Sequence, residues 1–381
     1  MKLEEIIKIY RPNTTSRVDL SIEGIKCIHY GDIYKNYSNK SITSSSIINS
    51  FTKTIKSEKI INSDSIIFPD VTETVEDFGH FVYVQFDNVN YINGTHTFAL
   101  TTTECNLKYL FYYLQSVSTK AKLRQLLKGD TVFQLSAKDF LKLDISNFHT
   151  INFQQHIVDT IGSIDDLIEN LNTINCKIND LIQIIFRKHT HHLNTTRIGN
   201  LKGYSIIKSG IKTFSGTKVY LNTASVNENG ISSNDYIITM KDKPSRANMQ
   251  PIPNSVWFAK LKDSPKFLYV RDFMEYILNN YIFSTGFMGL VCDNSYVSNY
   301  MYSLITSKQF DENKNALSIG ATMQGINNDS FKEIQVPNVN INLMTTIGKE
   351  AESKIKFIYY NKKKIERLTL LKKNYLKKFF G

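Results

Sequence analysis

One tryptophan, seven prolines and four cysteines among 381 residues leave little material for several kinds of chemistry. Cys27, Cys105, Cys176 and Cys292 lie far apart and form no CxxC pair, so neither a zinc site nor a disulfide framework has support. No two prolines are adjacent, which removes the Asn/Asp-Pro-Pro-aromatic motif of DNA amino-methyltransferases. No GxxxxGK(S/T) phosphate loop is present; SGIKTFSGTK (209–218) has the wrong spacing and the wrong ending. No GxGxxG opens a helix, and no Ser/His/Asp or Cys/His arrangement is legible. PDVTE (69–73) offers Asp70 and Glu73 without the lysine a nuclease site needs after its second acid. No run of eighteen apolar residues occurs, so no membrane span is expected. MKLEEIIKIY lacks the apolar core of a signal segment, and a reduced, cytoplasmic protein is expected. These absences argue for a binding protein.

What is present describes folded domains. Hydrophobic residues make up 41% and aromatics 12%, enough for sizeable cores, and the length suits two or three domains. The net charge of +11 suits a polyanion such as nucleic acid, or a membrane surface, and composition does not choose between them.

The chain repeats itself at half its length. GDTVFQLSAKDFLKLDI (129–145) aligns with GATMQGINNDSFKEIQV (320–336) at a shift of 191, pairing Gly129 with Gly320, Thr131 with Thr322 and Phe140 with Phe331. SDSIIFPDV (63–71) aligns with PNSVWFAKL (253–261) at a shift of 190, and YLFYYLQS (109–116) pairs loosely with NYMYSLIT (299–306) at the same shift. Each half begins with a β-branched, aromatic region punctuated by turn signals such as NENG and SSND. A helix is expected around 107–127 in one half and 295–308 in the other, then a short strand, then a long helix.

The first long helix is expected from about 154 to 188. Ile157, Ile161, Ile164, Ile168, Leu171, Ile178, Ile182 and Ile185 fall at spacings of three and four, with Asn175 as a register-setting polar residue on the seam. In the second, Ala351, Ile355, Ile358, Ile365, Leu368, Leu371, Tyr375 and Phe379 make a similar stripe. The first helix is acidic and the second strongly basic, which favours an antiparallel pair over two ordinary core helices. RKHTHHLNTT (187–196) reads as a polar linker, its three histidines lacking other ligands nearby.

SRANMQPIPNSVWFAKL (245–261) combines a core strand with polar side chains. Trp257 and Phe258 read as buried. Arg246, Asn248 and Gln250 are of the types that read base edges, and they sit in a stiff, exposed segment bounded by Pro244 and Pro251. Either a DNA-reading edge or a packing turn fits. Lys243 and Lys260 are further DNA-contact candidates, as are Thr72, Thr74 and His80 after the matching strand of the first half.

A twofold repeat of an α/β globule plus a long helix, basic and without an active site, resembles the specificity subunit of type I restriction–modification systems. HYGDIYK (29–35) and YLNTASV (220–226) resemble its early strand-and-turn, INSDSIIFP (61–69) and PNSVWFAKL its central strand, and GDTVFQLSAKDFLKLDI and GATMQGINNDSFKEIQVP (320–337) its closing segment. SRANMQP is similar to a segment of that family and has no equivalent in the first half. The resemblance implies an α+β fold of two pseudo-repeated recognition domains, 1–150 and 191–340, separated by an antiparallel pair of coiled-coil-like helices, 151–190 and 341–381. It implies double-stranded DNA as ligand, read as a split asymmetric site. It further implies two modification subunits and a restriction subunit as partners, which carry S-adenosylmethionine, ATP and Mg; this chain itself holds none and is not an enzyme. A specificity subunit of a type II-like or other phage-defence methylation complex, and a coiled-coil scaffold with no nucleic-acid role, are the alternatives.

Overall fold

The computed structural model describes residues 1–145, 148–227, 230–231, 236–320 and 324–381. Thr322 and the SSND stretch lie outside these, as does part of NENG. Contacts divide the chain into two compact units, Met1–Asn170 with Lys364–Gly381, and Leu171–Lys363.

Both units are built on one plan. In the first, Thr97–Thr101, Ser65–Pro69 and Val82–Gln85 lie side by side and antiparallel, with Lys8–Tyr10 at one edge and Lys40–Thr43 added in parallel at the other. In the second, Tyr204–Ile206, Phe287–Cys292, Ser255–Ala259 and Phe267–Val270 follow the same order, all antiparallel. The two strands expected to be central, SIIFP and SVWFA, are buried at every residue. Trp257 donates from Nε1 to Ser255 Oγ at 2.8 Å and lies against Gly289, where any Cβ would meet its ring at 2.4 Å. A second sheet in each unit contains one parallel pair, Ile25–Ile28 with Tyr91–Asn93 and Thr217–Leu221 with Tyr281–Ser284.

The repeat extends to backbone detail. Gly129 and Gly320 both take positive φ, 127° and 129°, a region that favours glycine. Isolated bridges recur at the same shift, Lys128 with Gln134 and Ile319 with Gly325. Ser136 and Asn327 cap matching short helices, each placing its Phe, 140 or 331, in a core.

Some expectations need correcting. The helix expected over 107–127 is two, Leu107–Gln115 and Val117–Gln125; its counterpart is Ser295–Ile305 and Lys308–Ala316. Ser116 and Ser307 break them in the same way, adopting extended backbone and capping the next helix through the hydroxyl. HYGDIYK is helical rather than strand-and-turn: His29 and Asp32 form a capping box over Tyr30–Asp32, continued by Ile33–Tyr37. The equivalence of YLNTASV holds better, since Thr217–Leu221 is a strand followed by a turn.

The long helices are Ile151–Thr190 and Ile341–Phe380, 40 residues each, or roughly 60 Å at 1.5 Å per residue. RKHT is therefore the end of the first helix, not linker. Ile157, Ile161, Ile164, Leu171, Asn175, Ile182 and Ile185 are buried on the seam, with Ile168 and Ile178 half-buried. Ala351, Ile355 and Ile358 are buried on the second helix, and Ile365 and Leu368 half-buried. Leu371 does not join the stripe and is 42% exposed. Helical drift puts Lys372 inward instead, where its ammonium sits 2.7 Å from Asp165. In the first unit that pair and the Phe153–Phe379 ring contact fix an antiparallel course. In the second unit the same course follows from Asn361 Nδ2 donating to Asn175 Oδ1 at 2.9 Å, and from His189 against Glu350 at 2.8 Å.

Candidate nucleic-acid interface

The stretch Pro244–Pro251 is neither a free loop nor a simple turn. Ala247–Met249 is the edge strand of a four-stranded sheet, paired with Tyr281–Ser284 through a bulge at Asn248. Ala247 and Met249 are buried, whereas Arg246, Asn248 and Gln250 alternate with them and stay exposed or half-exposed. Gln250 accepts from Lys212 N at 3.4 Å, and Lys243 spends its ammonium on Ala247 O at 3.3 Å. The Arg246 guanidinium has no partner among the described residues. In the first unit only a single bridge, Ile61 to Tyr91, occupies the matching place.

Arg246 and Lys260 come together at one hairpin tip. Thr285 N donates to Arg246 O at 2.9 Å, and Lys260 N donates to Gly286 O at 3.0 Å. Lys260 is half-buried, and burial lowers its ammonium pKa. Its Nζ has no partner among the described residues.

Thr72, Thr74 and His80 divide differently. Thr72 is buried and donates to Thr74 O at 2.9 Å, while Thr74 is exposed. His80 is held at both ring nitrogens, by Ser38 Oγ at 2.5 Å and by Asp77 at 3.3 Å, and burial lowers its pKa. Its role is to fasten this corner.

Asp70 was legible only as a fragment of nuclease-like sequence. It stands 4% exposed on a cleft of about 380 Å³ lined also by Arg11, Lys128 and Gln134. Gln134 Nε2 donates to its Oδ2 at 3.1 Å. Oδ1 accepts no hydrogen bond; His96 Nδ1 is its nearest cation site at 3.5 Å. Gln134 and His96 reach Asp70 only through the fold, so sequence spacing could not have joined them. Among the described residues no group of three or more His, Cys, Asp and Glu could hold a metal. All four cysteines are free, and burial pushes the Cys27 and Cys292 thiols up to about 12. Among the described residues no helix is long and apolar enough to cross a membrane.

Residues 1–180 match the family model described as the type I restriction modification DNA specificity domain. Over its whole length the chain is similar in fold to the S subunit of a type I restriction–modification system from M. genitalium, at 17% identity and a TM-score of 0.55, covering 100% of this chain and 95% of that one. An HsdS subunit from Thermoanaerobacter tengcongensis matches at 12% identity and a TM-score of 0.35, covering 100% and 95%. A structure described under complex assembly and conformational transition of the type I R-M system matches at 12% and 0.39, covering 100% and 96%. These last two scores are too low to carry weight. No curated protein matches the chain.

Proposed function

We propose that this chain is the DNA-addressing subunit of a type I restriction–modification complex, reading a two-part asymmetric site with one unit on each half. One observation carries the reading: the units share a backbone down to glycine conformation and helix caps, yet present different polar side chains at corresponding strand ends. A scaffold has no use for that combination, whereas a reader of two different half-sites requires it. The long helices serve as spacer and as dock for two modification subunits and a restriction subunit. Those partners supply S-adenosylmethionine, ATP and Mg, while this chain supplies no catalysis. Net charge of +11 supports DNA as the ligand through phosphate neutralisation.

The test is binding of the full chain to mixed-sequence duplex, followed by mapping of methylated sites once a modification subunit and S-adenosylmethionine are added. Affinity should fall by roughly 0.9 log unit per neutralised phosphate per log unit of salt. Exchanging residues 1–150 for another first domain should alter one half-site and leave the other. A flat salt response, or a change in both halves, contradicts the proposal.

A further inference from the structure

The two units hold one backbone position in the same cage and fill it with opposite charges. Asp70 directly follows the central strand Ser65–Pro69, and Lys260 directly follows Ser255–Ala259. Asp70 N donates to His96 O at 3.2 Å, and Lys260 N donates to Gly286 O at 3.0 Å. Asp70 O accepts from Leu135 N at 2.8 Å, and Lys260 O accepts from Ile326 N at 2.9 Å. The fold therefore fixes where each side chain starts; at the far end of Asp70, Oδ2 accepts from Gln134 and the buried Oδ1 faces His96 Nδ1 at 3.5 Å without a hydrogen bond. Lys260 Nζ has no partner among the described residues.

A buried acceptor without a donor costs about 1–3 kcal/mol, and a donor supplied by a bound partner would remove that cost. Phosphate cannot be that ligand for Asp70, because like charges repel. The cleft beside it carries Arg11 on its lining, which suits a phosphate and leaves the carboxylate for an uncharged donor, while Lys128 on the same lining is held by Asp139 at 2.8 Å. Exocyclic amines of cytosine and adenine are the donors a DNA groove offers. Lys260 has the reverse polarity, and guanine O6 and N7 are the acceptors it fits. A divalent cation suits the cleft less well, since no metal-holding group forms among the described residues.

We infer that Asp70 and Lys260 are the matched specificity-determining positions of the two units, Asp70 selecting a base with an exocyclic amine, cytosine or adenine, at one position of a strand and Lys260 selecting guanine. This rests on the DNA-reading role proposed above. It also gives a physical source for asymmetry, because one cage yields opposite hydrogen-bond demands.

The full chain, wild type and variants, is equilibrated with a randomised duplex library, and the bound fraction is sequenced. Asp70→Asn keeps shape and the Gln134 contact but replaces one acceptor with a donor. Lys260→Met keeps the stem without the charge. Each should abolish the preference at one position, in different half-sites, by roughly five- to a hundredfold. The position lost with Asp70→Asn should be cytosine or adenine, and that lost with Lys260→Met guanine. If wild type shows no preference at all, the DNA-reading proposal fails and this inference with it. If wild type selects a site and both variants select the same one, or lose all positions evenly, only the assignment of these residues fails. Lys260 is half-exposed, so its variant decides the matter should Asp70→Asn not fold.

Discussion

The two units solve the same packing problem with different chemistry. Where a helix of the second unit carries Asn299, the first carries Tyr109; where the second long helix has Glu352, the first has Gly162. In the second unit, Arg271, 3% exposed, binds Glu352 through both terminal nitrogens at 3.0 and 3.4 Å, with Asn299 and Tyr269 completing the group. In the first, Tyr109 sets its ring against Phe148 and Phe380, and a Cβ on Gly162 would meet the Tyr112 hydroxyl at 3.6 Å and the Lys108 ammonium at 3.9 Å. One backbone plan thus tolerates an amide within an ionic lock at Asn299 and an aromatic ring at the matching Tyr109. Fold identity in this repeat resides in strand order, caps and glycines rather than in core chemistry.

Breaking the ionic lock should have the largest effect. Glu352→Ala strands a buried guanidinium and should cost about 3–5 kcal/mol. Trp257, the sole tryptophan, is fully buried in the second unit, so its fluorescence reports that unit alone in a denaturant titration. An unchanged midpoint would show that the lock is not structural. Acid should act on the same group. Burial alone would raise the Glu352 carboxyl, but hydrogen bonds from Arg271, Asn299 and Lys356 outweigh it and hold the group at about 2. A lowered folded value means stability is complete above the ordinary 4.5 and drains as pH falls toward about 2. The Trp257 transition should weaken across that window in wild type and lose that dependence in the variant.

The seam asparagines come next. Asn175→Ala leaves Asn361 buried without its partner and should cost about 1–3 kcal/mol, whereas Asn175→Leu with Asn361→Leu should recover or exceed wild-type stability. Failure of the double variant to recover would mean the pair is not simply a buried hydrogen bond. Glycine conformation offers a symmetric comparison. Gly129→Ala and Gly320→Ala place Cβ in a disfavoured region, at about 1–3 kcal/mol each. Only the Gly320 variant should move the Trp257 transition; movement by both would show that the units unfold together.

Much of this was legible in the sequence. Central strands announce themselves as short, nearly continuous apolar runs because both faces are buried, and seam residues because one buried helix face imposes a period of 3.6. Asn175 was recognisable as polar on an apolar seam, but Asn361 was not, since it lies 186 residues away and only the antiparallel register joins them. Arg271 and Glu352, 81 apart, were silent for the same reason. Of the candidate interface, Arg246 and Lys260 were found by residue type. Asp70 stood out only beside Glu73 in PDVTE, because Gln134 and His96 reach it through tertiary pairing.

The smallest effect sharpens the comparison most. Tyr112 and Tyr302 are matched positions, and each reaches the first long helix through its hydroxyl, Tyr112 to Asp165 at 3.1 Å and Tyr302 to Asn179 at 2.8 Å. The first unit uses a carboxylate there and the second an amide. The carboxylate also takes Lys372, whose side chain is 14% exposed against 23% for Asp165, so solvent screens the pair only partly. Asp165→Asn keeps an acceptor for both Tyr112 and Lys372 and removes only the charge. It should cost about 1 kcal/mol or less, more at low salt than at high. Unfolding of the first unit, followed by a tryptophan introduced there because Trp257 reports only on the second, measures it. A loss of several kcal/mol would mean that the ion pair, not the hydroxyl contact, seats the helix in the first unit. A salt-independent loss would assign the effect to hydrogen-bond geometry, which is how the second unit already works.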